Sequence, residues 1–434
     1  MKAYVKDITF SGVSGPAVVV QPGTPWRFLF WRGAQYVACM DLGGGVWFTP
    51  QWLETNSPED LHCYEPIMDK QCKYSFAQIV ESGEARARVN WHYACCNIKY
   101  EVFHGNTEAD EYYTVYPDGI AVRTLVAWPG DKNAFGGNPE FWQVLEYILI
   151  NGVGSRPDEV IDHDKAFIFM NEKGEKLLFK WPLPTEDRIP LCKLHPEIKD
   201  WKMFIGRINL KNQPSPFVAF LKDQRFFPYK PCVYCGGDHP FFGLFHSKAV
   251  WKHWPANPME NFVLAVEAEE DEWGRVPTHT SFLDCNYTSI FADVPPKGCT
   301  WNFLVGAQQR PDDRRLLELV KSWATPAKIE TGYESRRLPW GLSYGPILYE
   351  GYVYAERAYF FRLEGTDKLK FKFTPIEKII NPVFRVENWS GESPKVFIDR
   401  KQLGEDSFRW QFDGRFLTVW IKDEFAKPVE VKIE

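Results

Sequence analysis

The stretch RARVNWHYACCNIKYEVFHGNTEADEYYTVYPDGIAVR, residues 86–123, leaves this chain the least freedom. Arg86, Arg88, Asn90 and His92 alternate with Ala87, Val89, Trp91 and Tyr93, which is the period of a strand with one polar and one apolar face. His92 ends the polar face. Further on, residues 111–116 and 120–127 flank Pro117-Asp118-Gly119, and a short loop ending in glycine suits a type I turn closed by a glycine bulge. That register sets Tyr116 opposite Ile120 and Tyr113 opposite Arg123. A phenol beside a guanidinium is an ordinary cross-strand pair in which the Arg stem covers the ring. With His92 on a nearby strand, the same side chains also supply acid, base and cation.

The same grammar recurs along the chain. Residues 1–60 run as short apolar strands, AVVVQPGTP, WRFLFWRG and VWFTPQWLE among them, punctuated by Gly and Pro about every ten residues. One helix is expected over residues 311–325: Pro-Asp-Asp opens it, Leu316, Val320 and Trp323 share a face, and Pro326 stops it. Beyond a Gly- and Pro-bearing stretch, RAYFFRL, KLKFKFT, VFRVEN, KVFIDR, FLTVWIK and VEVKIE describe a small β-sandwich of roughly 80 residues. Single cores rarely grow past about 250–300 residues, and this chain has 434. The expectation is an all-β protein: a large antiparallel unit over residues 1–330 and a C-terminal β-sandwich over 345–434.

Titratable groups collect in irregular segments, where loops on a rigid sheet carry function more often than their share. Arg32 with Tyr36 follows an aromatic strand, and Asp69, Lys70 and Gln71 make a candidate pocket wall. Glu146 interrupts an apolar run, so a partner or a cleft is expected for it. A second cluster holds His253, Trp254, Arg275 and His279. Cys232, Cys235 and His239 have part of a zinc-site spacing, but no second Cys pair follows at the expected distance, so no cofactor is expected.

Formal net charge is −6, from 51 basic and 57 acidic residues. No global basic field favours nucleic acid or an anionic membrane as partner. Aromatics make up 16% of residues, with 18 Trp, and many sit in polar company, where rings stack on sugar faces while neighbours bind hydroxyls. Ten scattered Cys without a framework spacing suggest reduced thiols. No apolar run of signal-peptide or membrane-spanning length is present, so the chain as written reads as cytoplasmic, or as secreted if a leader has been removed.

These residues carry a likeness. Arg32-Gly33 with Tyr36, Glu65-Pro66 followed by Asp69-Lys70-Gln71-Cys72, His92-Tyr93-Ala94, Tyr113 with Pro117-Asp118-Gly119 and Arg123, His253-Trp254-Pro255 and His279-Thr280-Ser281 resemble a group of β-rich proteins of polysaccharide-degrading bacteria. A weaker echo lies in Arg357-Ala358-Tyr359 and Asn381-Pro382. The resemblance implies a carbohydrate-active enzyme, with a poly- or oligosaccharide, often uronate-containing, as substrate. By analogy of architecture, the large unit is similar to the supersandwich of galactose mutarotases and polysaccharide lyases. The leading expectation is therefore β-elimination on a uronate, with His92, Tyr113, Arg123, His253 and His279 catalytic and Arg32, Tyr36, Asp69, Lys70, Gln71, Trp254 and Arg275 binding substrate. A glycoside hydrolase using Glu65, Asp69 and Glu146 is the alternative, discriminated by facing carboxylates in one Trp-lined pocket. A non-catalytic sugar-binding protein is the third.

Overall fold

The computed structural model describes residues 1–56, 63–128, 130–131, 142–182, 195–222, 242–244, 250–252, 254–255, 267–287, 299–332, 336–337, 343–344 and 346–434. The fold is an all-β sandwich. Among the described residues, one large sheet has eleven strands and its partner nine. The first begins with the hairpin Lys2–Phe10 and Val13–Gln21 and runs through Arg27–Trp31, Ala38–Asp41 and Val46–Thr49 to Trp142–Asn151 and Thr278–Tyr287. The second carries Phe76–Ser82, Ala87–Ala94, Glu108–Val115, Ala121–Trp128 and Cys299–Gln308 side by side.

The alternation in residues 86–93 does what its period dictates. Val89, Trp91 and Tyr93 enter the core between the sheets, while Arg88 and His92 stay half-exposed on the outer face. Tyr113 pairs with Arg123 in the antiparallel ladder. The turn between those strands closes through Gly119, whose φ of +74° only glycine adopts cheaply. Across the sandwich, Tyr113 packs against Phe30 at 5.4 Å, and the Tyr147 hydroxyl donates to the Val218 carbonyl at 3.1 Å.

The helix spans Asp313–Ala324, capped by the Asp312 carboxylate, which accepts from the Arg315 amide at 2.9 Å. Leu316, Val320 and Trp323 pack on the outer face of the nine-stranded sheet. Directly after it, Lys328–Glu330 pairs with Leu369–Thr374. The C-terminal unit thus takes up its first strand inside the range 1–330 that the sequence assigns to the larger unit. Two five-stranded sheets form this second sandwich around Phe361, Phe371, Phe373, Phe384 and Val419.

Charged side chains clamp the two sandwiches together. Asp118, from the hairpin turn, accepts from Arg357 at 2.7 Å and from Asn381 at 2.9 Å. Glu356 lies between Arg86 and Arg385. Burial alone would raise its carboxyl, but the two guanidiniums hold it down to about 2. Gln411 accepts from the Ala85 and Arg86 amides at 3.0 and 2.9 Å. The motif pieces Pro117-Asp118-Gly119, Arg357 and Asn381 therefore belong to this junction. No described helix is long and apolar enough to cross a membrane.

Candidate active site

The segment after Val46–Thr49 leaves strand geometry at Pro50, and just beyond it Gln51, Trp52 and Glu54 do chemical work. Gln51, at a left-handed φ of +65°, donates to Glu146 at 2.9 Å. Trp52 donates its indole N–H to Glu54 at 3.0 Å and to Glu65 at 3.1 Å. Two carboxyls on one indole must lie close together, and ligand atoms of Glu54, Cys63 and Glu65 all fall within 4.8 Å of one another. A proton or a cation could bridge such a group equally well.

Like charges out of water resist ionising. Burial, then the negative charge of Glu65, pushes the Glu54 carboxyl well above the carboxylate range. Burial also raises Glu65, against which hydrogen bonds from Glu54, Cys63 and the Trp52 indole favour its ionised form. Both carboxyls are thus raised, Glu54 the further, so a proton is held within the pair and more readily on Glu54. Glu146, held by Gln51 and by Gln143 at 2.7 Å, lies near enough to bear electrostatically on Glu65.

Rings and cations adjoin this group. Trp254, expected to bind substrate, is instead fully buried: it meets Trp52 edge to face at 5.3 Å and donates to the Gln35 side chain at 3.2 Å, so it supports the indole rather than a sugar. Lys70 lies within electrostatic reach of Glu65 and Cys72, and burial lowers its ammonium to about 8. Arg32 donates to the Gln71 carbonyl at 3.3 Å and bears on Tyr36. Exposure falls from Arg32 and Gln71, through half-buried Tyr36 and Lys70, to Glu65 at 6%. The carboxyls thus lie inward of Arg32 and Gln71, which are at the surface.

Four of the twelve non-glycine residues with positive φ among the described residues are here. Gln35, Tyr36, Gln51 and Cys72, at +53°, +59°, +65° and +51°, all belong to this site. Each departs from the favoured backbone at a cost of about 1–2 kcal/mol, and strain of this kind clusters where geometry serves function.

Several expected site residues lie elsewhere. Tyr113 and Arg123 are wholly buried between the sheets, while His92 is on the outer face and pairs with Asp110 at 3.2 Å. Opposite faces of one sheet cannot converge on a substrate, so His92, Tyr113 and Arg123 do not form a catalytic trio. Asp69 is a buried anchor that accepts from the Lys73, Tyr74 and Ser75 amides at 2.7, 2.8 and 2.8 Å. Arg275 is exposed and pairs with Asp271. His253, Cys232, Cys235 and His239 lie outside the described residues. Cys39, Cys63, Cys72, Cys95 and Cys96 are free thiols. Glu54 is the chief residue that sequence reasoning missed. Its signal was a carboxylate closing the aromatic run VWFTPQWLE, the same anomaly that singled out Glu146.

His279 supports the site from beneath. Its Nδ1 donates to the Trp254 carbonyl at 2.8 Å, and burial holds its imidazole down to about 4. Between about 6.5 and 4 the unfolded chain binds a proton that the folded chain refuses, so stability falls as pH drops through that window, by ~3 kcal/mol in all. In His279→Gln, thermal unfolding followed from about pH 7 to pH 4.5 is expected to show a shallower acid decline than wild type. Equal declines would mean that His279 is not held neutral.

No family model matches the chain, and no curated protein sequence matches it. Among solved structures, part of the chain is similar to a copper-containing benzylamine oxidase from Hansenula polymorpha at 8% identity. The match has a TM-score of 0.22 and covers 61% of this chain. It spans 43% of the oxidase, and so weak a likeness bears on neither fold nor chemistry.

Proposed function

We propose that this protein is a carbohydrate-active enzyme that hydrolyses a glycosidic bond through Glu54 and Glu65. The observation that carries the reading is the pair itself: two carboxyls on one buried indole, both raised and Glu54 the further. Glu54, holding its proton, donates it to the departing glycosidic oxygen. Glu65, ionised, attacks the anomeric carbon to form a glycosyl ester, and Glu54 then takes a proton from the water that cleaves that ester. Their oxygens lie within 4.8 Å of each other and share a hydrogen bond, which must open for a sugar to enter; the separation is nearer the ~5–5.5 Å of a retaining pair than the ~6.5–9.5 Å of an inverting one. Arg32 and Lys70 on the approach suit an acidic sugar.

Lys70 also favours a second reading. An amine lowered to about 8, near Arg32 and Tyr36, combines a base, a cation and a phenol, the groups that β-elimination on a uronate requires. Incubation with oligouronides and neutral oligosaccharides separates the two. Hydrolysis is expected to release reducing ends with no ultraviolet-absorbing product. An unsaturated uronide accumulating in step with the reducing ends would replace hydrolysis by elimination.

A further inference from the structure

The outer face of the nine-stranded sheet is divided. Helix residues Leu316, Val320 and Trp323 cover Val122, Ile205, Phe217 and Leu304. Beyond this cover, two cross-strand rows remain. Phe76, His92, Asp110, Val126 and Thr300 lie in register, and next to them run Gln78, Asn90, Tyr112, Thr124 and Asn302.

These rows are knit together by their own side chains. Gln78 donates to Asn90 at 3.0 Å, Asn90 donates to Asp110 at 2.9 Å, and Thr124 donates to Asn302 at 2.8 Å. Asp110 also receives His92 and the Trp128 indole. The Phe76 ring stacks on His92 at 5.0 Å yet stays 46% exposed, and Trp128 is 39% exposed. Three strand spacings, ~14 Å, separate the strands of Phe76 and Trp128. Two large, partly exposed rings thus flank a polar ladder that their own contacts with His92 and Asp110 hold in place.

Charge selects the occupant. His92 is matched by Asp110, and Arg88 lies over Tyr112 at 4.5 Å and 3.9 Å from Glu356. Among the described residues of these rows, no uncompensated cation is left for phosphate or an anionic membrane. With Asn90 and Thr124 buried, what remains accessible is Gln78, Tyr112, Thr300 and Asn302 between aromatic rings, which complements an uncharged, hydroxyl-rich chain. The geometry points to a second carbohydrate-binding surface here, distinct from the Glu54–Glu65 pair, on which a neutral glycan lies across the strands with sugar faces on Phe76 and Trp128. It rests on the carbohydrate part of the proposed function and not on the hydrolytic part.

Native electrophoresis in gels containing soluble β-glucan, xyloglucan, galactomannan or polygalacturonate tests it, with wild type beside the double variant Phe76→Ala/Trp128→Ala. At least one neutral polymer is expected to retard the wild type. The double variant, at unchanged melting temperature, is expected to need about tenfold more polymer for equal retardation, since two ring contacts are lost. Its turnover of a short soluble oligosaccharide should equal that of wild type. Equal retardation of both proteins, or none in any neutral gel, would overturn the surface. So would a dimer in sedimentation velocity that dissociates in the double variant, because a second copy would then be the occupant. If the double variant folds poorly, Phe76→Ser or Trp128→Ser alone is read the same way. Failure of the hydrolytic reading is seen separately, as oligosaccharides left uncleaved by a wild type that is still retarded.

Discussion

Glu65→Gln is expected to lower turnover by about 10²–10⁴-fold, and Glu54→Gln to do the same where the leaving group needs protonation. The two losses differ in kind. A substrate with an activated aryl leaving group departs without a proton, so Glu54→Gln should recover most of its first-step rate there while Glu65→Gln should not. The pH profile distinguishes them further. Burial and the Glu65 charge keep Glu54 protonated well above the usual carboxylate range, so wild-type activity should persist above that range and decline on the alkaline side as Glu54 ionises. That alkaline limb should be absent in Glu54→Gln. Side-chain amides keep the shape of the site, so circular dichroism and melting temperature should change little. Full activity in either variant, per folded molecule, would remove the carboxyl pair from the mechanism. Loss of wild-type activity in a chelator, restored by a divalent cation, would instead reassign Glu54, Cys63 and Glu65 as metal ligands.

What local periodicity determines was legible from the residues alone. The polar face of residues 86–92, the pairing of Tyr113 with Arg123, the glycine-closed turn and the helix ended by Pro326 each depend on neighbours within a few positions. Which face of a strand lies inside the sandwich depends on sheet partners far along the chain. In EADEYYTV both faces carry polar or aromatic groups, so the burial of Glu111, Tyr113 and Arg123 could not be told from exposure. The site was hidden for the same reason. It draws on residues near 35, 52, 65, 70, 146 and 254, brought together because Trp142–Asn151 pairs with both Glu54–Asn56 and Thr278–Tyr287. Loop composition did indicate Arg32, Tyr36, Lys70 and Glu65, since a segment dense in polar groups with little apolar content has no folding reason to be so.

Arg123→Met should destabilise the protein by ~3–5 kcal/mol, because it leaves Glu111 charged and unpaired between two sheets. The guanidinium donates twice to Glu111, at 2.7 Å each, and to the carbonyls of Pro50 and Val144 at 3.0 Å. Glu111 in turn accepts from the Tyr93 hydroxyl at 2.9 Å, which itself accepts from the Leu53 amide at 2.7 Å. Arg123 is therefore a positioning residue. Through Pro50 and Leu53 it fixes both ends of the short segment from which Gln51 and Trp52 reach the carboxyls. Two consequences separate this role from simple packing. Adding Glu111→Leu to Arg123→Met should return much of the lost stability, since the stranded charge is gone and apolar groups fill the space. It should not return activity, since Pro50 and Val144 still lack their donor and the indole that holds Glu54 and Glu65 is no longer fixed. Chemical denaturation of the single and double variants, with kcat measured per folded molecule, reads both effects. A single variant within about 1 kcal/mol of wild type would show that the buried pair is not a principal support of the sandwich, and a double variant with full kcat would cut the link between Arg123 and the site.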